Sequence, residues 1–289
     1  MGWLFFALLS AVSLATADAV TKRYFSDSSA YEMGLVRLLS ALPLLALSLF
    51  FIPWVKPDRI FVLCVLLGLP LEATAFFCYM KAIKSSPLSL TLPFLAFTPG
   101  FVILTGWLVL GEEITTGGFA GIALIIIGSY VLNLSKKNAG SLEPFRAILR
   151  EPGSRLMLLV SFIYAFTSVI GKLAVLHSNP YVFGALYNIA LTSLMIALIP
   201  FSRTADPVEG FRKKPLAVIL LGAMVSLSIF SHFIAISRIE AAYMISVKRT
   251  SLLFGVLYGA WLFREEKITE RLTGAVIMLT GVFMISLYG

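Results

Sequence analysis

Apolar residues in this chain come in long runs that few polar residues interrupt. Runs of about 20, the length that crosses roughly 30 Å of hydrocarbon as a helix, fall near residues 2–22, 31–51, 60–81, 88–110, 116–135, 155–175, 181–202, 215–237, 242–263 and 269–288. The connectors are short except 135–155 and 202–215, which carry the Lys, Arg, Glu, Pro and Gly of solvated loops. The pattern predicts an all-α membrane protein with ten transmembrane helices. The first run, MGWLFFALLSAVSLATADAV, lacks the positive start of a signal peptide and is matched by an internal segment, so it reads as a mature helix.

Self-similarity sharpens this picture. A shift of about 150 residues aligns Lys22 with Lys172, Tyr31 with Tyr181 and Gly34 with Gly184. A slightly longer shift aligns Gly68 with Gly222, Phe76 with Phe230 and Lys84 with Arg238, and then Phe101 with Phe254, Glu112 with Glu265, Gly121 with Gly274 and Gly128 with Gly281. The chain divides into a first repeat at 1–135, a connecting loop at 136–154 and a second repeat at 155–289. Each copy has five helices, an odd number, so the second enters the membrane in the opposite sense. Such an inverted-topology repeat is the pattern of secondary transporters, with a substrate site near the midplane where the two halves meet.

Composition agrees. The chain is 59% hydrophobic and 13% charged with a mean hydropathy of +0.93, whereas soluble domains carry roughly 25% charged residues. The net charge of +8 does not point to nucleic acid as a partner, because the basic residues lie mostly in connectors and not along one exposed element. The loops after odd-numbered helices hold sixteen of the 23 Lys and Arg residues, and the opposite loops four: Lys56, Arg59, Lys172 and Arg238. The positive-inside rule then places the first set in the cytoplasm and both termini outside a cell (inner) membrane. Cys64 and Cys78 share one run, about 21 Å apart along a helix, and read as free thiols.

Three stretches bear on family: FFCYMKAIKSSPLSLTLPF, LTGWLVLGEEITTGGFAGIALIIIGSYVL and the second-half counterpart LYGAWLFREEKITERLTGAVIMLTGVFMISL. They resemble the EamA-type repeat of the drug/metabolite transporter superfamily, in which a helix rich in small residues ends in Gly-Glu and the next carries spaced glycines. The resemblance covers essentially the whole chain, twice. It implies an inverted-repeat bundle around a central cavity that opens alternately to either side. Relatives move amino acids, nucleotide sugars, sugar phosphates, drugs and other metabolites, so cargo has to be argued from residues facing the cavity.

Lys248 and Arg249 lie near the middle of the ninth run, where each cation costs about 2.5–3.5 kcal/mol on insertion scales. At about 100° per residue both can border one cavity. The pair resembles the adjacent Lys-Arg of triose-phosphate and related sugar-phosphate translocators, where it holds the substrate's anionic group, and a guanidinium fork beside an ammonium suits phosphate or carboxylate. Ile245 stands where those relatives often place Asn, and the fourth run has no lysine, so the inference is an anionic group on the cargo and not phosphate in particular. Glu72, near the middle of the third run and two residues after Pro70, is a counter-ion for this pair, a proton-coupling carboxylate or a purely structural ion-pair partner.

The remaining candidates are weaker. Arg37 reads as structural charge bonded to helix-end carbonyls or Asp18, and Asp18 and Lys22 have the spacing of an intrahelical pair. His232, close to Ser228 and Ser231, either relays protons or packs. Tyr79, Tyr164 and Tyr243 offer hydroxyls and ring faces to a cargo. Glu112–Glu113 and Glu265–Glu266 start helices, where the dipole favours carboxylates, and glycines seven apart let helices approach closely. The two histidines, His177 and His232, lack metal-ligand spacing or a catalytic motif, so neither a metal, a cofactor nor an enzyme is expected. The leading reading is a secondary active transporter for a small anionic metabolite, coupled to protons or a counter-substrate. The alternatives are a flippase for an anionic lipid and an exporter of uncharged or cationic cargo in which the pair is structural.

Overall fold

The computed structural model describes residues 2–86, 92–132, 152–201, 209–263 and 268–288. Its helices of eight or more residues are α1 (Gly2–Phe25), α2 (Ala30–Ser48), α3 (Arg59–Ser85), α4 (Thr98–Leu110), α5 (Thr116–Leu132), α6 (Pro152–Leu176), α7 (Pro180–Ala197), α8 (Pro215–Ile236), α9 (Ala241–Lys248), α10 (Ser251–Phe263) and α11 (Ile268–Tyr288), with no strand among the described residues. Six of them, α1–α3 and α6–α8, are long and apolar enough to cross a membrane unaided.

Local chemistry sets several boundaries. Before α2, Ser29 and Glu32 form a reciprocal capping box. Asn179 caps α7 through the Tyr181 and Val182 amides, with Pro180 in the first turn. Asp58 caps α3 by accepting from the Phe61 amide at 2.8 Å.

Two of the expected spans are not continuous. The fourth begins as a 3-10 turn, Leu92–Phe97, and becomes α4 only at Thr98, where Pro99 occupies the first turn. A proline disfavours the α conformation of the residue before it, which suits a helix start and not a helix interior. The ninth run, expected as one helix over 242–263, is divided between α9 and α10. Around Arg249 the amides of Arg249, Thr250, Leu252 and Leu253 bond carbonyls three residues back, at 2.9–3.0 Å, and Thr250 Oγ1 also bonds the Val247 carbonyl. The helix thereby tightens to 3-10 geometry where its charges sit. The two breaks, before Thr98 and before Ser251, are separated by the same interval that aligns Gly121 with Gly274.

Side-chain burial is that of a protein in lipid. Leu66, Leu216 and Trp261 are 62%, 81% and 78% exposed, while Asp18, Arg37, Lys172 and Arg249 are buried. Helix α1 packs on α8 and α6 on α3; α4 packs on α6 and α10 on α1; α2 meets α7, and α5 lies against α11. In the α5–α11 pair a Cβ on Gly121 would sit 2.9 Å from the Gly281 carbonyl oxygen, and one on Gly281 would sit 2.6 Å from that of Gly121. Only glycine permits this approach of one backbone to another.

Gly281→Leu is therefore expected to force α5 and α11 apart and destabilise the protein by about 1–3 kcal/mol. Gly100→Ala, whose new methyl would meet only Ile126 at 3.8 Å, should leave Tm unchanged; equal melting of the two variants in detergent would refute this packing. Outside the membrane-spanning segments, the bond from the Phe61 amide and the His177 ring, whose Nδ1 lies 2.7 Å from Asp58 Oδ2, hold the Asp58 carboxyl below its ordinary value. A lowered folded-state value stabilises above the ordinary carboxylate range and is lost as pH falls through the lowered one. Asp58→Asn should flatten the acid limb of a Tm-against-pH curve; an unchanged limb would assign it to other groups.

Candidate functional site

A group of buried and half-buried polar side chains surrounds a cavity of about 180 Å³ between the two halves of the chain, room for roughly six water molecules. Lys248, Arg249, Glu72, Tyr79, His232 and Arg37 all border it. Sequence reasoning offered Lys248, Arg249, Glu72, Tyr79 and His232 as cargo contacts and Arg37 as structural charge, and all six border one space.

Their partners differ in kind. Arg37 and Asp18 form a buried ion pair, and Tyr79 donates to the second Asp18 oxygen at 2.6 Å. The Arg37 guanidinium also lies over the Tyr79 ring, 6.0 Å from its centre. This network ties α1, α2 and α3 together and leaves Asp18 satisfied on both oxygens. Of the two partners considered for Arg37, helix-end carbonyls and Asp18, it is Asp18 that the guanidinium meets, and the expected Asp18–Lys22 pair is replaced. The Asp18 carboxylate turns toward α2 and α3, while Lys22 reaches the carbonyls of Ile83 and Ser86 at the end of α3.

The cations of the ninth run are less well met. Lys248 Nζ lies 3.1 Å from His232 Nδ1, a hydrogen-bonding contact in which the donor is set by the tautomer of the ring. Arg249 Nη2 donates to Thr98 Oγ1 at 3.1 Å. Arg249 is 4% exposed, and its Nε has no hydrogen-bond partner among the described residues. Thr98 is the first residue of α4 and Arg249 precedes α10, so the two helix breaks face one another across this bond. Glu72 and Thr167 of α6 both border the cavity. Among the described residues no ion pair joins Glu72 to Lys248 or Arg249, whereas Asp18 is paired with Arg37 and Glu112 with Lys172.

Tyr243 lies elsewhere. It is fully buried, its hydroxyl accepts from the Thr115 amide at 2.9 Å, and a Cβ on Gly118 would overlap it; it wedges the start of α5. Glu112 serves more than a helix dipole: it accepts from Lys172 and, at 2.9 Å, from the Ala241 amide that opens α9, while Lys172 also donates to the Ile239 carbonyl. Glu265 and Glu266 lie outside the described residues. Sequence reasoning passed over Thr98, Thr167, Tyr187 and Asn188, which bond or border the site groups. Tyr187 carried a signal, since the repeat sets it opposite Arg37; the hydroxyl residues carried none, because Ser and Thr are frequent throughout the helices.

The model of the EamA-like transporter family matches residues 1–134 and 152–287. Over 191 residues the chain is 29% identical to an uncharacterized transporter of Methanothermobacter thermautotrophicus, a match covering 64% of this chain and 52% of that protein. An uncharacterized transporter of Archaeoglobus fulgidus is 23% identical over 209 residues, covering 70% and 66%. The chain thus spans between half and two-thirds of the length of these relatives. A solved crystal structure shares the fold, with a TM-score of 0.76 over 99% of this chain and 98% of that one at 17% identity. Because the matched segments include every helix bordering the cavity, the chain, a multi-pass membrane protein, belongs to the EamA-like transporter family.

Proposed function

We propose that the protein is a secondary active transporter that carries a small anionic organic metabolite through the central cavity, with Lys248 and Arg249 binding the acidic group. The observation that carries this reading is the buried Arg249 guanidinium whose Nε lacks a partner among the described residues. An unmet charged donor in a low-dielectric interior is costly. A carboxylate or phosphoryl group entering the cavity supplies the missing acceptor and neutralises Lys248 as well.

The mechanism follows from that cost. An empty cavity resists closing over two incompletely paired cations, whereas an occupied one closes, so each crossing needs cargo or a replacement for it. Exchange against a counter-substrate meets this requirement, and so does proton movement if Glu72 takes up and releases the proton. The architecture we assign is a ten-span inverted repeat, with copies at 1–135 and 155–289. It is supported by the reciprocal packing of α1 on α8 and α6 on α3, and by the matching breaks before Thr98 and Ser251. In the orientation we assign, loops after odd-numbered spans face the cytoplasm, on the basis of the excess of Lys and Arg there.

A thermal-shift panel of phosphorylated, carboxylated, cationic and neutral metabolites tests the anion assignment. Binding at a hundred times Kd stabilises by about 2.7 kcal/mol, so anionic ligands are expected to raise Tm in the wild-type protein and to lose that effect in Lys248→Ala and Arg249→Ala. Stabilisation confined to cationic or neutral compounds, and surviving both substitutions, would make the pair structural.

A further inference from the structure

The buried cations of this protein are held in two different ways. Arg37 and Lys172 meet carboxylates, Asp18 and Glu112, and are neutralised where they sit. The two that border the cavity at the α9–α10 break meet no carboxylate among the described residues: Lys248 lies against the His232 ring and Arg249 against the Thr98 hydroxyl. A carboxylate both places a cation and cancels it, whereas a hydroxyl places it and leaves its charge in a poorly screened space. The Thr98 hydroxyl suits that task. It is fully buried and donates its one proton to the Leu95 carbonyl at 2.7 Å, so that its oxygen offers Arg249 Nη2, at 3.1 Å, lone pairs only. Leu95 borders the cavity as well, and two hydrogen bonds in series therefore run from the cavity wall through the start of α4 to the guanidinium.

The repeat separates this contact from the scaffold that both copies share. The shift that aligns Gly121 with Gly274 sets Ser251 opposite Thr98 and Ala96 opposite Arg249. Both copies thus begin the second part of their broken helix with a hydroxyl residue, and only Thr98 has a cation at the matching place. An arginine side chain left free samples many rotamers, and a cargo that had to order it would bind more weakly. We propose that Thr98 is a positioning residue for the cargo-binding guanidinium: it holds Arg249 ready for an acidic group without neutralising it. Thr98 does not itself line the cavity, so it acts through Arg249. The inference rests on the anion reading of Arg249 and adds the group that prepares it.

The test compares Thr98→Val, which keeps the branched shape and removes the hydroxyl, with Thr98→Ser, which keeps the hydroxyl. Two readouts on the full chain separate the placing of Arg249 from a role at the start of α4. The first is apparent affinity for succinate and for inorganic phosphate, read from the Tm shift against concentration. Thr98→Val is expected to weaken both roughly tenfold, the scale of a hydrogen bond to a charged group, and Thr98→Ser to restore the wild-type affinity. The second is Tm without ligand: Thr98→Val should lower it in the wild-type background, where it strands the guanidinium, and leave it unchanged in Arg249→Met. An equal loss of Tm in both backgrounds with anion affinity intact would overturn the proposal, make the hydroxyl a fixture of the helix start and leave the anion reading standing. Tighter anion binding by Thr98→Val would also overturn it, because Thr98 would then compete with the cargo. So would Thr98→Ser weakening binding as much as Thr98→Val, which would assign the effect to packing. No response of the wild-type protein to either probe would overturn the anion reading and this proposal with it. Thr98→Ala takes the place of Thr98→Val if that variant fails to fold.

Discussion

A guanidinium enclosed by helices in a bilayer has five N–H donors and no water to satisfy them. Arg249 has one such bond, to Thr98, and its Nε has none among the described residues. The surrounding structure can be understood through this constraint. The helix tightens at that residue, α9 ends and α10 restarts at Ser251, and both adjacent cations border the cavity at this break.

The other buried charges show what a settled arrangement looks like. Asp18 is met by Arg37 and Tyr79, and Glu112 by Lys172 and the first amide of α9. Both networks join helices whose relative positions define the cavity wall. Glu112 holds the start of α9 while its end carries Lys248, so the end of that short helix that borders the cavity hangs from a well-anchored beginning. Against this background, Glu72 and Arg249 stand apart as charges the fold leaves available to something else.

Much of this was legible in the hydropathy alone, because lipid imposes a length and an apolarity that a sequence can hardly conceal. The six long helices follow from it; the family came from the repeated motifs, and the glycines seven apart announced a close helix approach without saying that α5 and α11 would make it. The division of the ninth run was written only faintly, as three polar residues, Lys248 to Thr250, inside an apolar stretch. Nothing local marked Arg37 as the partner of Asp18 over Lys22, since that choice depends on how α2 and α3 pass α1. Tyr243 looked like a cargo contact because any tyrosine in a span does; only packing shows it seated against Gly118 at the start of α5. The cavity's charges also lack counterparts in the other repeat: Ser226 matches Glu72 and Tyr187 matches Arg37. A symmetric scaffold therefore holds an asymmetric site, and the repeat that revealed the scaffold could not reveal the site.

The central claim is that the protein tolerates an incompletely paired Arg249 because its cargo completes it. Replacing a buried, poorly paired charge by an apolar side chain of similar length is commonly neutral or stabilising. The decisive measurement is the melting of Arg249→Met with and without anionic ligands. The account predicts a Tm at or above that of the wild-type protein and no response to anions. A lower Tm together with an undiminished anion response would contradict it, making Arg249 a structural residue.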